Sequence, residues 1–254
     1  MYWQDKWVFK DTIEYEIKYA GNYGLKGEKR GKKTKPTPEQ IKRQNQLNKE
    51  KKMRRLLKAN FEQGDLWLTL KYKKGAKPCV SSVEKELKRF ISLMRRRYKS
   101  HNAEFKFVYR IEIGSQGGVH IHMVVPRIRG ADTEILIQEA WKVGRVNYQT
   151  LDNGDYKELA SYITKPLNEE TYKQLSFLPS EEVKKFVKYS SSRNLTRPKP
   201  IRKEYSRRTV HKMLLYGPEP SKGYFIVKES VFHGYNSFTG MSYLHYTERK
   251  LDDG

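Results

Sequence analysis

The segment Phe105–Pro126 reads FKFVYRIEIGSQGGVHIHMVVP and consists of two alternating runs separated by a glycine-rich break at 114–118. Such alternation predicts two strands, and the glycines between them predict the turn of a hairpin. Successive side chains of a strand point to opposite faces of the sheet. The apolar face of the second run consists of Val119, Ile121, Met123 and Val125. His120 and His122 therefore point to the opposite face.

The same parity places a carboxylate beside the two histidines. When the hairpin folds with its apolar faces together, Glu112 shares the opposite face with His120 and His122. A register centred on Gln116 puts Glu112 directly across from His120. Two imidazoles and a carboxylate suit a divalent cation and leave positions open for a substrate. A lone strand histidine is more often an ordinary surface or core residue, but this combination favours a metal site.

The composition indicates a polyanionic partner. The chain of 254 residues has 52 Lys and Arg against 29 Asp and Glu, which gives a formal net charge of +23. Nucleic acid is the leading candidate. An anionic membrane is the alternative, but no apolar run approaches the roughly 20 residues of a transmembrane helix. The single cysteine, Cys79, excludes an internal disulfide. Without a secretory signal at the N-terminus, we expect a cytoplasmic protein with no membrane partner.

The order of predicted elements around the hairpin indicates the fold class. A buried strand at 65–72 and an amphipathic helix beginning at Ser82 precede the hairpin. A helix at about 133–141 and a strand at 144–149 follow it. This order favours an α+β fold with a mainly antiparallel central sheet and packed helices. The face that carries the histidines is expected to stay accessible.

A further helix is predicted from about residue 155 to Pro166. Its apolar stripe consists of Tyr156, Leu159, Ala160 and Ile163. Tyr162 falls about 110° from the centre of that stripe, with Lys165 near it. Tyr156 therefore has an ordinary core explanation and Tyr162 does not, although a tyrosine on the flank of a helix is usually a half-buried packing residue.

Two basic segments, 1–60 and 167–254, flank this region, and we predict that they are extensions of a domain at 61–166. The first contains a strand-like alternation at 13–19 and a helix at about 38–59 rich in Lys and Arg. Such a helix is ordinarily a solvated one. Given the total charge, we favour a surface that follows a nucleic-acid backbone.

The second extension is predicted to contain a short helix from Ser180, a polar basic loop at 189–200 and a strand at 224–227. Candidate contacts with nucleic acid lie in this loop and on the first strand of the hairpin. They are Arg110, Arg193, Arg197 and Lys199.

Three motifs occur in a fixed order in this basic chain. They are Leu68-Thr69-Leu70, His120-Ile121-His122 and Tyr162-Ile163-Thr164-Lys165. Together they resemble the HUH endonucleases, and more narrowly the rolling-circle replication initiator (Rep) proteins of small plasmids, phages and integrated elements. The resemblance covers about residues 61–166. Asn60-Phe61 and Ser192-Arg193-Asn194-Leu195 are also similar to a Rep group of Gram-positive bacterial elements.

The resemblance implies an HUH palm related to the RRM fold and a role for individual residues. His120 and His122 would be ligands of Mg²⁺ or Mn²⁺, with Glu112 as the third ligand. Tyr162 would be the nucleophile. Lys165 would help to place the tyrosine or neutralise phosphate charge.

The implied activity is metal-dependent nicking and rejoining of single-stranded DNA at a replication origin through a 5′-phosphotyrosine. A host polymerase would extend the free 3′-OH, and a host helicase would unwind the duplex, since no helicase domain follows. Thr69 marks the first motif and is expected to be structural. Because Tyr156 lies on the core stripe, a single-tyrosine mechanism is favoured. The alternatives are an HUH transposase or relaxase of a mobile element and a non-catalytic nucleic-acid-binding module.

Overall fold

The computed structural model describes residues 1–20, 36–114, 118–152, 154–166, 189–236 and 240–251. In chain order the strands are β1 (Tyr2–Val8), β2 (Thr12–Tyr19), β3 (Leu66–Tyr72), β4 (Val108–Ile113), β5 (Val119–Val125), β6 (Gly144–Thr150), β7 (Tyr189–Ser191), β8 (Ile201–Tyr205), β9 (Tyr224–Ile226), β10 (Phe232–Tyr235) and β11 (Ser242–Lys250). The helices are α1 (Pro38–Lys58), α2 (Val80–Ser100), α3 (Thr133–Ala140), α4 (Lys157–Thr164) and α5 (Arg207–Tyr216), with a 3-10 helix at Lys228–Ser230. These elements form two antiparallel sheets with packed helices, which confirms the predicted α+β class.

The first sheet lies in a compact unit formed by residues 44–196. Its strand order is β6-β3-β5-β4-β7, and every neighbouring pair is antiparallel. The hairpin of β4 and β5 has the predicted register, with Glu112 opposite His120. The amide of Gly114 closes the turn by donating to the carbonyl of Gly118 at 2.8 Å.

The larger core of this unit lies on the sheet face opposite the histidines. Strand β3 contributes Leu66, Leu68 and Leu70 to it, since alternate residues share a face. Helix α2 packs against them with the stripe that the sequence predicts, which is Val83, Leu87, Phe90, Met94 and Tyr98. Burying each such side chain contributes roughly 1.5–3 kcal/mol. This core fixes which face of β5 carries the histidines.

The histidine face is less open than the sequence predicts. A second apolar cluster covers part of it. This cluster includes Val108 and Val124 from the sheet, Leu56 and Leu57 from α1, and Ala160 and Ile163 from α4. Apolar residues on both faces at one end of β4 and β5 explain the difference, because Val108 and Val124 need cover as much as the opposite face does. The cover brings α4, and with it Tyr162, onto the sheet.

The second sheet lies in a compact unit formed by both chain ends, residues 1–43 and 197–254. Its order is β10-β11-β2-β1-β8, and β9 also pairs with β11. Helix α5 packs Val210 against a cluster that includes Ile17 and Leu244. The division predicted from the sequence differs, because segments predicted as separate extensions pair with one another. Local patterns do not reveal pairing between segments so far apart in the chain.

Most elements predicted in these segments are present. The strand at 13–19 corresponds to β2, the helix at 38–59 to α1, and the strand at 224–227 to β9. The predicted loop at 189–200 begins with a strand, β7, that pairs with β4. The short helix predicted from Ser180 lies outside the described residues. No helix in the described ranges has both the length and the apolar character needed to span a membrane.

Candidate active site

Three strands and one helix bring most of the predicted site residues together. In the sheet register Thr69 of β3 pairs with His122 of β5. Glu112 of β4 lies two residues from the partner of His122, on the same face of the sheet. Helix α4 supplies Tyr162 from above this face.

The Tyr162 side chain contacts two of the predicted metal ligands. Its hydroxyl donates a short hydrogen bond to Glu112 Oε2. Its oxygen lies 3.0 Å from His122 Nε2. His122 Nε2 also lies 3.1 Å from the same Glu112 oxygen. The predicted nucleophile and two predicted ligands therefore form a closed triangle of polar contacts, which we call the Tyr-Glu-His triangle.

Two residues of β3 hold the His122 ring. Thr69 Oγ1 lies 3.2 Å from His122 Nδ1. The Trp67 ring stacks on His122 with centroids 5.4 Å apart and planes 14° apart, and its edge faces Tyr162 at 5.8 Å. A hydrogen on Nδ1 would be donated to Thr69, which leaves Nε2 free to accept a proton or bind a cation. Sequence reasoning assigned no site role to either residue, although period-2 parity places both on the histidine face of β3.

Arg110 closes the C-terminal end of α4. Its guanidinium is buried, and Nη1 donates to the carbonyls of Ile163 at 2.9 Å, Tyr162 at 3.3 Å and, in a short bond, Lys165. The last carbonyls of a helix lack partners within the helix, and a cation there is favourable. This position differs from the predicted contact with nucleic acid, because a guanidinium buried under α4 cannot reach a phosphate. Arg110 instead fixes the turn of helix that carries Tyr162.

The triangle has unequal effects on the acidity of its members. The hydrogen bond from His122 lowers the pKa of Glu112 to about 2, assisted by the bond from Tyr162. Burial raises the pKa of Tyr162 well above its ordinary value of 10.0, and the adjacent Glu112 carboxylate raises it further. The phenol therefore keeps its proton at neutral pH in this arrangement. Added positive charge or a proton acceptor is needed to form the phenolate.

His120 lies on the same face but outside the triangle. Its ring centroid is 6.2 Å from that of His122. Burial and the nearby ammonium of Lys71 lower the pKa of His120, which leaves it neutral and able to bind a cation at pH 7. Among the described residues, no three His, Cys, Asp or Glu side chains are arranged to hold a metal ion. The donor types and register of Glu112, His120 and His122 suit a divalent cation, but their side chains do not converge on one point.

The remaining predicted residues lie outside the triangle. Lys165 follows the last residue of α4 and is exposed. In the described ranges no contact joins its ammonium to Tyr162. Arg193, Arg197 and Lys199 are exposed, and Arg193 belongs to the unit at 44–196 while the other two belong to the second unit.

Tyr156 has the core role that the sequence predicts. It precedes α4 with a left-handed backbone, φ 52°, and its side chain is buried. Its hydroxyl donates to the carbonyl of Phe61 at 3.1 Å. Tyr162 is thus the tyrosine of α4 that reaches the histidine face.

Comparison with known proteins gives one match. Residues 65–169 match the model of a family described as a replication-associated protein of the ORF2 type. The matched segment runs from β3 through α4 and contains the whole Tyr-Glu-His triangle. This part of the chain is similar to a replication-associated protein. No curated protein and no solved structure matches the chain.

Proposed function

We propose that this protein initiates rolling-circle replication by nicking and rejoining single-stranded DNA at an origin. One observation carries the proposal. The phenol of Tyr162 contacts Glu112 and His122 within a segment similar to replication-associated proteins. A tyrosine, a carboxylate and an imidazole in mutual contact are suited to phosphoryl transfer through a covalent tyrosine ester.

The proposed step is a transesterification at one phosphodiester. Tyr162 Oη forms a bond to phosphorus while the bond from phosphorus to the 3′ oxygen breaks. The phenol proton passes to Glu112 or His122, the groups that Tyr162 contacts. The departing 3′ oxygen takes up a proton from solvent and becomes a free 3′-OH. The 5′-phosphotyrosine retains the energy of the phosphodiester, so attack by a 3′-OH rejoins the strand.

Glu112, His120 and His122 would hold the divalent cation, Mg²⁺ or Mn²⁺, which supplies positive charge to the phosphate oxygens and favours the phenolate. The carboxylate oxygen of Glu112 that accepts the phenol hydrogen belongs to this ligand set. The two uses of Glu112 therefore compete. In the arrangement described here Glu112 holds Tyr162 as a protonated phenol.

The proposed partners follow from the chemistry and the charge. The formal charge of +23 favours a polyanionic strand. The free 3′-OH would serve a host polymerase as a primer. Unwinding of the duplex ahead of it is assigned to a host helicase.

The test is a covalent-adduct assay. The protein is incubated with Mn²⁺ and 3′-end-labelled single-stranded DNA from candidate origins of its own genetic element, and the products are separated on denaturing SDS gels. We expect a labelled protein band that is abolished by EDTA and by Tyr162→Phe. Tyr156→Phe is the matched control, since it removes the other hydroxyl of this helix region, and it should retain the band. Tight binding of DNA without any adduct, across pooled fragments of the whole element, would instead support a non-catalytic binding module.

A further inference from the structure

A surface cleft of about 480 Å³ opens beside His120, at the edge of the histidine face. Three backbone segments line it. They are the end of β3 with the loop to Ala76, the start of β5 at Gly118–His120, and the start of β6 at Gly144–Arg145. None of these residues belongs to the Tyr-Glu-His triangle.

The cleft is lined by four cationic side chains and by no carboxylate. The cations are Lys71, Lys73, Lys74 and Arg145. None of the four makes an ion pair with a carboxylate in the described part of the chain. Burial, Lys71 and Arg145 all lower the pKa of His120, and Glu112 opposes them. Like charges gathered without counter-charges repel one another, so an anion in the cleft would be stabilised.

The sheet register joins this cleft to the triangle. Arg145 pairs with Lys71, Lys71 with His120, and His120 with Glu112, so four strands present one row of side chains. Strands in a sheet are about 4.8 Å apart, which puts roughly 14 Å between the first and last of the row. A flexible strand that reaches Glu112 can therefore continue along the row into the cleft.

The close approach of β6 to β3 depends on Gly144. A Cβ atom at this position would lie 1.8 Å from the carbonyl oxygen of Lys71. Only glycine permits this approach, which keeps Arg145 beside Lys71. The cationic row is therefore a fixed feature of the sheet and not an accident of long surface side chains.

We infer that this cleft binds the phosphodiester backbone of single-stranded DNA next to the phosphate that Tyr162 attacks. The inference rests on the proposed function for the identity of the polyanion. Lys73, Lys74 and Arg145 are exposed and would contact successive phosphates, whereas Lys71 is partly buried at the junction with His120. Contacts to phosphates position a strand without reading its sequence.

The test measures binding without chemistry. Fluorescence anisotropy in EDTA follows a labelled oligothymidylate of about 30 nucleotides, because backbone contacts do not need an origin sequence. We expect the triple variant Lys73→Gln/Lys74→Gln/Arg145→Gln to bind about tenfold or more weakly at 0.1 M salt. Its slope of log K against log salt should be shallower by about 0.7 for each phosphate that is no longer bound, or about 2 in all.

The matched control is Lys85→Gln/Lys88→Gln/Arg89→Gln, which removes the same charge from exposed positions of α2, on the other side of the sheet. It should change affinity less than about twofold. An equal loss of affinity in both triple variants would overturn the inference in favour of undirected attraction, as would an unchanged affinity of the cleft variant or no binding by the unaltered protein. Displacement of the oligothymidylate by equimolar dTTP or pyrophosphate would assign the cleft to a small polyphosphate instead.

The binding result and the adduct assay can fail independently. A protein that binds through the cleft but forms no adduct would contradict the tyrosine chemistry alone. A protein that forms the adduct, but whose cleft and control variants bind alike, would contradict this inference alone.

Discussion

The hydroxyl of Tyr162 donates a hydrogen bond to the carboxylate of Glu112, 50 residues earlier in the chain. Helix α4 supplies the donor and strand β4 the acceptor. Arg110, also on β4, holds the end of α4 by its carbonyls. One strand therefore supplies both the partner of the phenol and the anchor of the helix that carries it. Changes in β4 should affect the placement of Tyr162 without touching the tyrosine itself.

Replacing Arg110 with lysine should destabilise the protein and slow adduct formation. A single ammonium on a shorter chain cannot reach the carbonyls of Tyr162, Ile163 and Lys165 together. Losing buried hydrogen bonds from a charged donor costs about 2–4 kcal/mol. Urea denaturation followed by circular dichroism measures the change in the free energy of unfolding.

The control is Arg95→Lys, at an exposed position of α2. It should change the free energy of unfolding by no more than about 0.5 kcal/mol. Equal stability of Arg110→Lys and Arg95→Lys would show that the bonds to the end of α4 do not support the fold.

Replacing Thr69 with valine should weaken cation binding while leaving the fold intact. The change keeps the shape of the side chain and removes the hydroxyl beside His122 Nδ1. Removing a partner that orients a ligating histidine typically costs about 10–100-fold in metal affinity. Isothermal titration with Mn²⁺ gives the affinity. Thr150→Val, on the exposed part of the same sheet, should bind Mn²⁺ as the unaltered protein does. If the two variants bind alike, Thr69 does not orient His122.

Replacing Glu112 with glutamine should lower stability in a manner that depends on pH. The pKa of Glu112 is depressed to about 2 from an ordinary 4.5, so its ionised form is the one that the fold favours. The stabilisation is complete above the unfolded pKa and is lost as the pH falls through the folded pKa. A third of the side chain is exposed, which reduces the effect to on the order of 1 kcal/mol.

The measurement is the difference in urea midpoint between Glu112→Gln and the unaltered protein, in EDTA, from about pH 7 to about pH 2.5. The difference should be constant down to about pH 5 and shrink below about 4.5. A difference that does not change with pH would mean that the charge of Glu112 is not what stabilises the triangle.

Replacing Tyr156 with phenylalanine should cost about 1 kcal/mol of stability, because one buried hydrogen bond to the Phe61 carbonyl is removed. Its nicking activity should equal that of the unaltered protein. Thermal unfolding and the rate of adduct formation test the two halves of this prediction. A normal stability without any adduct would reverse the roles assigned to the two tyrosines.

The sequence predicts the parts of the site that follow from strand parity. Glu112 and His120 lie opposite each other because the apolar faces of β4 and β5 must coincide, and this register is confirmed. The core position of Tyr156 likewise follows from helical spacing and is confirmed. Both inferences use periods that hold within one element or one hairpin, so they need no knowledge of distant contacts.

Features that depend on packing between distant segments could not be predicted in this way. Arg110 is on the histidine face by parity, but only the placement of α4 shows that it bonds to helix carbonyls and not to solvent. The pairing of β1 with β8 joins residues about 200 positions apart, which no local pattern encodes. The cleft beside His120 likewise depends on the approach of Gly144 to β3.

The most direct measurement of the central claim is the identity of the residue that becomes linked to DNA. The adduct formed with Mn²⁺ is digested with nuclease and trypsin, and the modified peptide is sequenced by tandem mass spectrometry. Because trypsin does not cleave between Lys165 and Pro166, the expected peptide extends from Glu158 to Lys173 and contains two tyrosines, Tyr162 and Tyr172. We predict a nucleotide joined through its 5′ phosphate to Tyr162. A nucleotide on Tyr172, on Tyr156 or on a serine would contradict the assignment of Tyr162 as the nucleophile.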